Sequence, residues 1–347
     1  MKIKRLLSLP LLIACSGCFI ACEQNVSMET VVNENGSVSR TIVLQEVDSA
    51  KMKENIFGVS EENGWKTKIA HVGKNKFDVS FTKEFPSVEA INSELNSDDE
   101  ALFRVRSELT EKFRWFYTYY RYSDTYTPIN RMHGVKQDDF FTHEDFSFIE
   151  RLPAEGKAIS KADSFFLVKL NDRIYEDFLS HGYYEEHFSA LLQALDKIGA
   201  APQWKDSLLL RKGQYFDEIL QSEDFDDANF PVIVERFHAP VDMEALRATH
   251  KQLTQDFEQR VDFMTNAASM KMVHSIQLPW KIMETNADSL ALNRAFWRPP
   301  VIKFVLKDHT MYAEGRSFNL WAGLISIFIV LITIRLFTRK KPVVAGP

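Results

Sequence analysis

Apolar and polar positions alternate through the first third of the chain, and the period then lengthens. Ser27–Val32 and Ser37–Leu44 alternate on either side of Asn33-Glu34-Asn35-Gly36. Asn-Gly tolerates positive φ, so this segment predicts a β-hairpin. Lys66–Ala70 and Lys76–Phe81, joined through Gly73, predict a second hairpin, and Asp48–Phe57 a short helix between the two. Leu102–Leu109 and Lys112–Tyr122 read as longer strands. The aromatics of Phe113–Tyr122 fall on both faces, which predicts a central strand covered on both sides. A stacking or lipid-facing platform is the functional alternative for that run.

From Asp138 to Ala268 the apolar positions recur at helical spacing. Leu167, Leu170, Ile174 and Phe178 form one stripe, which predicts a helix broken near His181-Gly182. Phe188, Leu191, Leu192, Leu195 and Ile198 form the next, ending at Gly199. Pro202 and Gly213 punctuate further helices. Pro240 precedes a long one with its stripe on Met243, Leu246, His250, Leu253, Phe257, Val261 and Met264. These faces predict an antiparallel helical subdomain. Strand character returns in Met272–Leu278, Ala295–Trp297, Val301–Leu306 and Thr310–Ala313. The expected fold class is therefore α+β: a β-rich domain formed by N- and C-terminal parts around a helical insertion, plus one C-terminal transmembrane helix. Two sequential domains are the alternative.

The two ends are patterned for a membrane. Lys2, Lys4 and Arg5 precede the apolar stretch Leu6–Ala14, as in an export signal. Cys15, Cys18 and Cys22 follow, each after small or apolar residues that resemble a lipobox, the site at which a bacterial lipoprotein cysteine is acylated. Cys18, after Ser16-Gly17, is the favoured lipidation site, with Cys22 and Cys15 as alternatives; an ordinary secretory signal is the plainer reading. Phe318–Phe337 is long enough to cross a hydrocarbon core, at about 1.5 Å per residue. Trp321 is placed for one membrane interface, and Arg335, Arg339, Lys340 and Lys341 for the other. The basic tail puts the C-terminus in the cytoplasm and the body outside, the orientation that the signal also requires. The expected organisation is a signal over 1–17, a β-rich part over 18–137, a helical subdomain over 138–268, a returning β-rich part over 269–317, the span over 318–338 and a basic tail over 339–347. The expected location is a bacterial inner membrane, with the ectodomain periplasmic and two anchors holding it close to that one membrane.

Composition narrows the partners. The chain has 42 basic and 48 acidic residues. Removing the seven basic residues of the ends leaves 35 against 48, a net charge of −13 for the body. Such a body repels phosphate backbones, so nucleic acid is not an expected partner. All three cysteines lie in the leader, so the body carries no disulfide framework.

Two short stretches together suggest a relationship. Thr30–Ile42 resembles the opening hairpin of LppM-type bacterial lipoprotein domains, and Leu278–Ala287, with Trp297 after it, resembles their closing strand pair. Trp280 stands where such domains carry a glycine, and the helical middle has no counterpart. The resemblance implies a β-rich envelope domain in contact with lipids or glycolipids, and it supplies no catalytic residues.

Candidate chemistry is sparse. His181 and His187 lie six apart, which separates them in angle on a helix, so even with Glu185 and Glu186 between them they do not form a metal-binding pair. His250 lies on an apolar stripe and reads as a core histidine. Asp224–Asn229 lacks the glycine and distant Glu of a calcium loop and reads as a solvated turn, as does Ser97–Glu100. No nucleophile elbow, phosphate loop or dinucleotide motif occurs. No metal, cofactor or catalytic residue is expected. The sequence therefore points to a non-enzymatic, membrane-anchored envelope lipoprotein that binds a protein or lipid partner. A lipid or glycolipid binder is the alternative, and a cell-envelope hydrolase a more remote one.

Overall fold

The structure, a computed structural model, describes residues 24–48, 57–96, 103–221, 229–236 and 238–338. The first hairpin forms where the Asn-Gly signal puts it. Strand β1 (Gln24–Val32) pairs antiparallel with β2 (Val38–Asp48), and Gly36 closes the turn at φ +82°. A second antiparallel pair, β3 (Lys66–Gly73) and β4 (Lys76–Phe85), adds to β2 through β4. Helix α1 (Val88–Leu95), capped by Ser87, leads to β5 (Val105–Phe113) and β6 (Tyr117–Tyr126). The helix expected at 48–57 and the acidic turns at 97–100 and 224–229 fall largely or wholly outside the described residues.

The middle of the chain is helical: α2 (His143–Arg151), α3 (Lys161–Asp172), α4 (Ser180–Lys197), α5 (Pro202–Leu210), α6 (Lys212–Gln221), α7 (Asn229–Glu235) and α8 (Met243–Ala268). Strands then return as β7 (Met270–Gln277), β8 (Ile282–Thr285), β9 (Ser289–Ala291), β10 (Arg294–Trp297) and β11 (His309–Phe318), and α9 (Leu320–Thr338) ends the described chain. The fold is α+β, with both ends of the body contributing to two sheets. One has the order β3-β4-β2-β1-β7-β10-β9, the other β5-β6-β11-β8. The late strand β7 lies parallel beside the first strand β1, so the helical segment is inserted within one sheet.

Three local readings need correction. The helix does not break at His181-Gly182. It runs from α3 through a π-helical turn, Arg173–Leu179, straight into α4. Gly182 is there for close packing: a Cβ would lie 2.9 Å from Met132 Cγ. The aromatic run Phe113–Tyr122 is not one strand, because Arg114-Trp115-Phe116 is the turn between β5 and β6. Val301–Phe304 forms a 3-10 turn after Pro299-Pro300, not a strand, and buries Phe304.

The sheets face each other across one hydrophobic core, into which α8 sends Phe263, Met264 and Ala267 and α3 with its π turn sends Leu170, Ile174 and Phe178. A second core, among the helices, gathers Tyr184, Phe188, Leu191, Leu208, Phe230 and Leu246. Helix α8 therefore belongs to both. The alignment of the sheets is fixed by side chains. Tyr126 contacts Met28, Asp124 meets Thr30, and Tyr120 stacks on Trp280 at 3.8 Å. Along the sandwich, β1 and β6 thus run in opposite directions.

A buried ionic cluster lies between the sheets. Arg40, on the inward series Val38, Arg40, Ile42 and Leu44 of β2, is fully buried. Its Nη2 donates to Asp124 Oδ1 and Oδ2 (2.6 and 2.7 Å) and to Tyr122 Oη (2.8 Å). Ser107 Oγ and Tyr122 Oη also donate to Asp124 Oδ1. His274 Nε2 lies 3.2 Å from Oδ2, and Tyr126 Oη lies 3.1 Å from His274 Nδ1. Burial pushes the Asp124 carboxyl upward, but the Arg40 charge and His274 outweigh it and hold it well below the carboxylate range. Burial likewise works against the Arg40 charge, and Asp124 more than restores it.

Asp124→Asn keeps the shape but leaves a buried guanidinium without its counter-charge. The expected loss is about 3–5 kcal/mol by chemical denaturation of the full chain in detergent. Replacing both partners, Arg40→Met with Asp124→Leu, should recover much of that. A single-variant loss below about 1 kcal/mol would show that the pair is not held as a unit.

Candidate functional site: the junction between the sheet and the apolar helix

Strand β11 pairs with β6 along its whole length, from His309↔Tyr126 to Phe318↔Tyr117. One residue, Asn319, separates it from α9. That helix is 19 residues long, with a mean hydropathy of 2.3 and few buried side chains, and so is long and apolar enough to cross a membrane. Trp321 is in its first turn and Arg335 in its last. Arg339, Lys340 and Lys341, and all three candidate lipidation sites Cys15, Cys18 and Cys22, lie outside the described residues.

The strand-to-helix junction is clamped by hydrogen bonds. Asn319 N–H donates to Phe116 O at 2.9 Å, and its Nδ2 donates to Arg114 O at 2.8 Å and Trp115 O at 3.3 Å. Thr118 Oγ1 donates to Asn319 Oδ1 at 2.9 Å. The buried Asn319 side chain thus satisfies carbonyls of the β5–β6 turn that its tight geometry leaves unpaired. Aromatic rings close round it: Trp321 stacks on Phe113 and meets Trp115 edge-on, and Phe318 packs edge-on to Tyr117.

Two pockets lie away from this end. One is apolar, encloses about 90 Å³, and opens where the π turn meets the sandwich, against Ile129, Met132, Tyr175, Leu179, Tyr183, Val261 and Met264. π turns occur frequently at functional sites. The Arg173–Asp145 pair (2.7 and 3.0 Å) fixes the start of this turn to α2. The other pocket, of about 350 Å³, is polar and lies among Glu150, Asn286, Asp288, Lys303, Lys307 and His309. Several of its charged groups have partners: Lys307 pairs with the Glu150 carboxylate, Lys303 Nζ donates to the Glu150 backbone carbonyl, and Asp288 accepts from the Arg298 backbone N–H. Burial, reinforced by Lys303 and Lys307, lowers the His309 imidazole to about 4.

The histidines singled out by the sequence pack among the helices. His187 is fully buried, with Nε2 3.1 Å from Glu258 Oε1. His250, also buried, contacts His187 O at 3.3 Å, as a core histidine would. His181 packs edge-on to Phe140, and Lys212 pairs with Glu185. Among the described residues no three His, Cys, Asp or Glu side chains converge to hold a metal.

Asn319→Ala removes three side-chain hydrogen bonds from one buried junction. It should cost about 1–3 kcal/mol and broaden the distribution of distances between ectodomain and helix, measured by paired spin labels. An unchanged distribution would show that the junction is held by its rings alone. His309 gives a pH test. Its folded value lies below the ordinary 6.5, so its contribution is complete above that value, is lost as pH falls from about 6.5 to 4, and is flat below. Over that window wild type should lose up to about 3 kcal/mol more than His309→Gln does. Burial pushes His274 the same way, so the difference between the two proteins isolates His309.

No family model matches the chain. No curated protein matches it either. Among solved structures, it is similar to the folded domain of Mycobacterium tuberculosis LppM, determined by NMR, with 6% identity and a TM-score of 0.28 over 88% of this chain and 95% of that one. At that TM-score the likeness carries no functional argument.

Proposed function

We propose that this chain is a single-pass, membrane-anchored envelope lipoprotein, not an enzyme, whose ectodomain binds a protein or lipid partner at the membrane surface. The observation that supports this reading is the continuity of β11 into α9 through the clamped Asn319. A sheet that passes into an apolar helix without a flexible linker couples the orientation of the whole domain to that helix. In this reading α9 spans the inner membrane, the domain is periplasmic, and the basic residues from Arg335 to Lys341 stay in the cytoplasm. The N-terminal lipid, on Cys18, is a further attachment.

A second reading, a lipid or glycolipid binder, is favoured by the apolar pocket at the π turn. A pocket of that size takes a few methylene groups or the end of an acyl chain, not a whole lipid. A hydrolase gains little from the carboxylates already described: Asp124 is sealed in the core by Arg40, and Asp145 is paired with Arg173.

With residues 1–22 replaced by a cleavable secretory signal, so that no lipid is attached, alkaline washing of membranes should leave the chain in the pellet and release one that also lacks residues 318–347. Affinity purification from solubilised membranes, with mass spectrometry of proteins and lipids, should recover a reproducible partner of one kind. Recovery of neither sinks both binding readings. Replacing Cys15, Cys18 and Cys22 in turn should abolish metabolic lipid labelling at one of them, expected to be Cys18, and no effect at any would remove the lipid anchor.

A further inference from the structure

We infer that the β5–β6 turn is a second membrane-inserting element, whose aromatic side chains enter the interfacial layer of the same bilayer as α9. The inference rests on the reading that α9 spans that bilayer, and adds to it a specific contact surface and occupant. At the tip of the β5–β6 hairpin, Phe113, Trp115 and Phe116 are 52%, 46% and 46% exposed. Tight turns ordinarily carry small or polar residues, so three large apolar rings at one tip need a medium that accepts them.

Geometry identifies the medium. The Trp115 indole N–H donates to Ser326 Oγ at 2.8 Å. Ser326 lies six residues past Leu320, about 9 Å along the helix axis. The tip therefore reaches past the first turn of α9, to a level where the helix surface is Leu324, Ile325 and Ile327, all exposed. Any bilayer that solvates those residues also meets Trp115. The contact suits such a layer on both sides. Ser326 donates its own proton to Ala322 O, so the indole fills an acceptor position that hydrocarbon would leave empty. The amphipathic indole ring favours that layer.

Charge around the tip agrees. Lys112 and Arg114 are exposed beside the rings, and Arg316 lies over the Tyr117 ring at 4.3 Å. Glu111 is the acidic neighbour on the same strand. Basic side chains beside an inserted aromatic tip can reach anionic headgroups while their stems stay among apolar neighbours. This local basic character contrasts with the acidic body. With the helix, the Asn319 clamp and the tip all engaged, the domain can neither swing away from the membrane nor rotate about α9.

The test uses the full chain in nanodiscs of mixed phosphatidylcholine and phosphatidylglycerol, with bromine either near the head or near the end of the lipid acyl chains. The difference in emission between wild type and Trp115→Phe isolates Trp115, and Trp321→Phe isolates Trp321. Insertion predicts that lipid brominated near the head quenches the Trp115 component at least about twofold, more than lipid brominated near the chain end, as for an interfacial indole. A Phe116→Trp variant should add emission with the same quenching, which guards against an effect peculiar to the Trp115 substitution. If Trp321 is quenched while Trp115 and the added Trp at 116 are not, tip insertion is overturned and the span stands. If none is quenched, the span itself fails.

Discussion

The alignment of the two sheets rests on one buried charge pair, neither member of which can stand without the other. Arg40 and Asp124 come from different sheets and are both withdrawn from water. Neither charge has solvent to fall back on, so each specifies the position of the other. Tyr122, Ser107, Thr30 and His274 are placed by that requirement, and through His274 and Tyr126 it extends to Met28 on β1 and to the parallel strand β7. A purely apolar interface could slide by a residue pair with little penalty. This one cannot, because a shift of β2 against β6 would separate two buried charges. Register is therefore the property the cluster secures, and the strand β11, paired to β6, inherits it down to the junction with α9.

Much of this was legible in the sequence, for reasons that differ by element. The Asn-Gly hairpin, the long α8 stripe and the apolar tail are strong local signals, carried by turn chemistry, period and length. The Arg40 cluster is half visible: Arg40 falls on the alternating face Val38, Arg40, Ile42 and Leu44 of the expected hairpin, but Asp124 and Tyr126, which share a face with Tyr122, lie beyond the strand expected over Lys112–Tyr122. What alternation cannot give is that those faces meet, because that depends on which sheets stack.

The aromatic run failed for a different reason. Phe113 to Tyr122 has the composition of a strand throughout, and Arg114-Trp115-Phe116 contains no Gly, Pro, Asn or Asp to mark a turn. The turn is set by a partner two hundred residues away, Asn319, whose amide caps the carbonyls that a Gly or Asn turn would satisfy locally. The break read at His181-Gly182 went wrong similarly. Glycine there relieves a contact with Met132 on a distant loop, and the irregularity is absorbed earlier, in the π turn.

The opposed directions of β1 and β6 have a consequence for reach. Tyr126 lies level with Met28, so Gln24 is four residues further from the start of α9, and Tyr117 nine residues nearer to it. At about 3.3 Å per residue, that places the first described residue roughly 40 Å along the sandwich from the point where the chain enters α9. Six residues separate Cys18 from Gln24, and a fully extended chain of that length covers at most about 20 Å. Gln24 therefore lies at the end of the sandwich remote from α9, about twice as far from that helix as the six preceding residues can span. In the proposed reading, a lipid on Cys18 that shares the bilayer of α9 therefore requires the sandwich to lean towards that surface instead of standing upright on its helix.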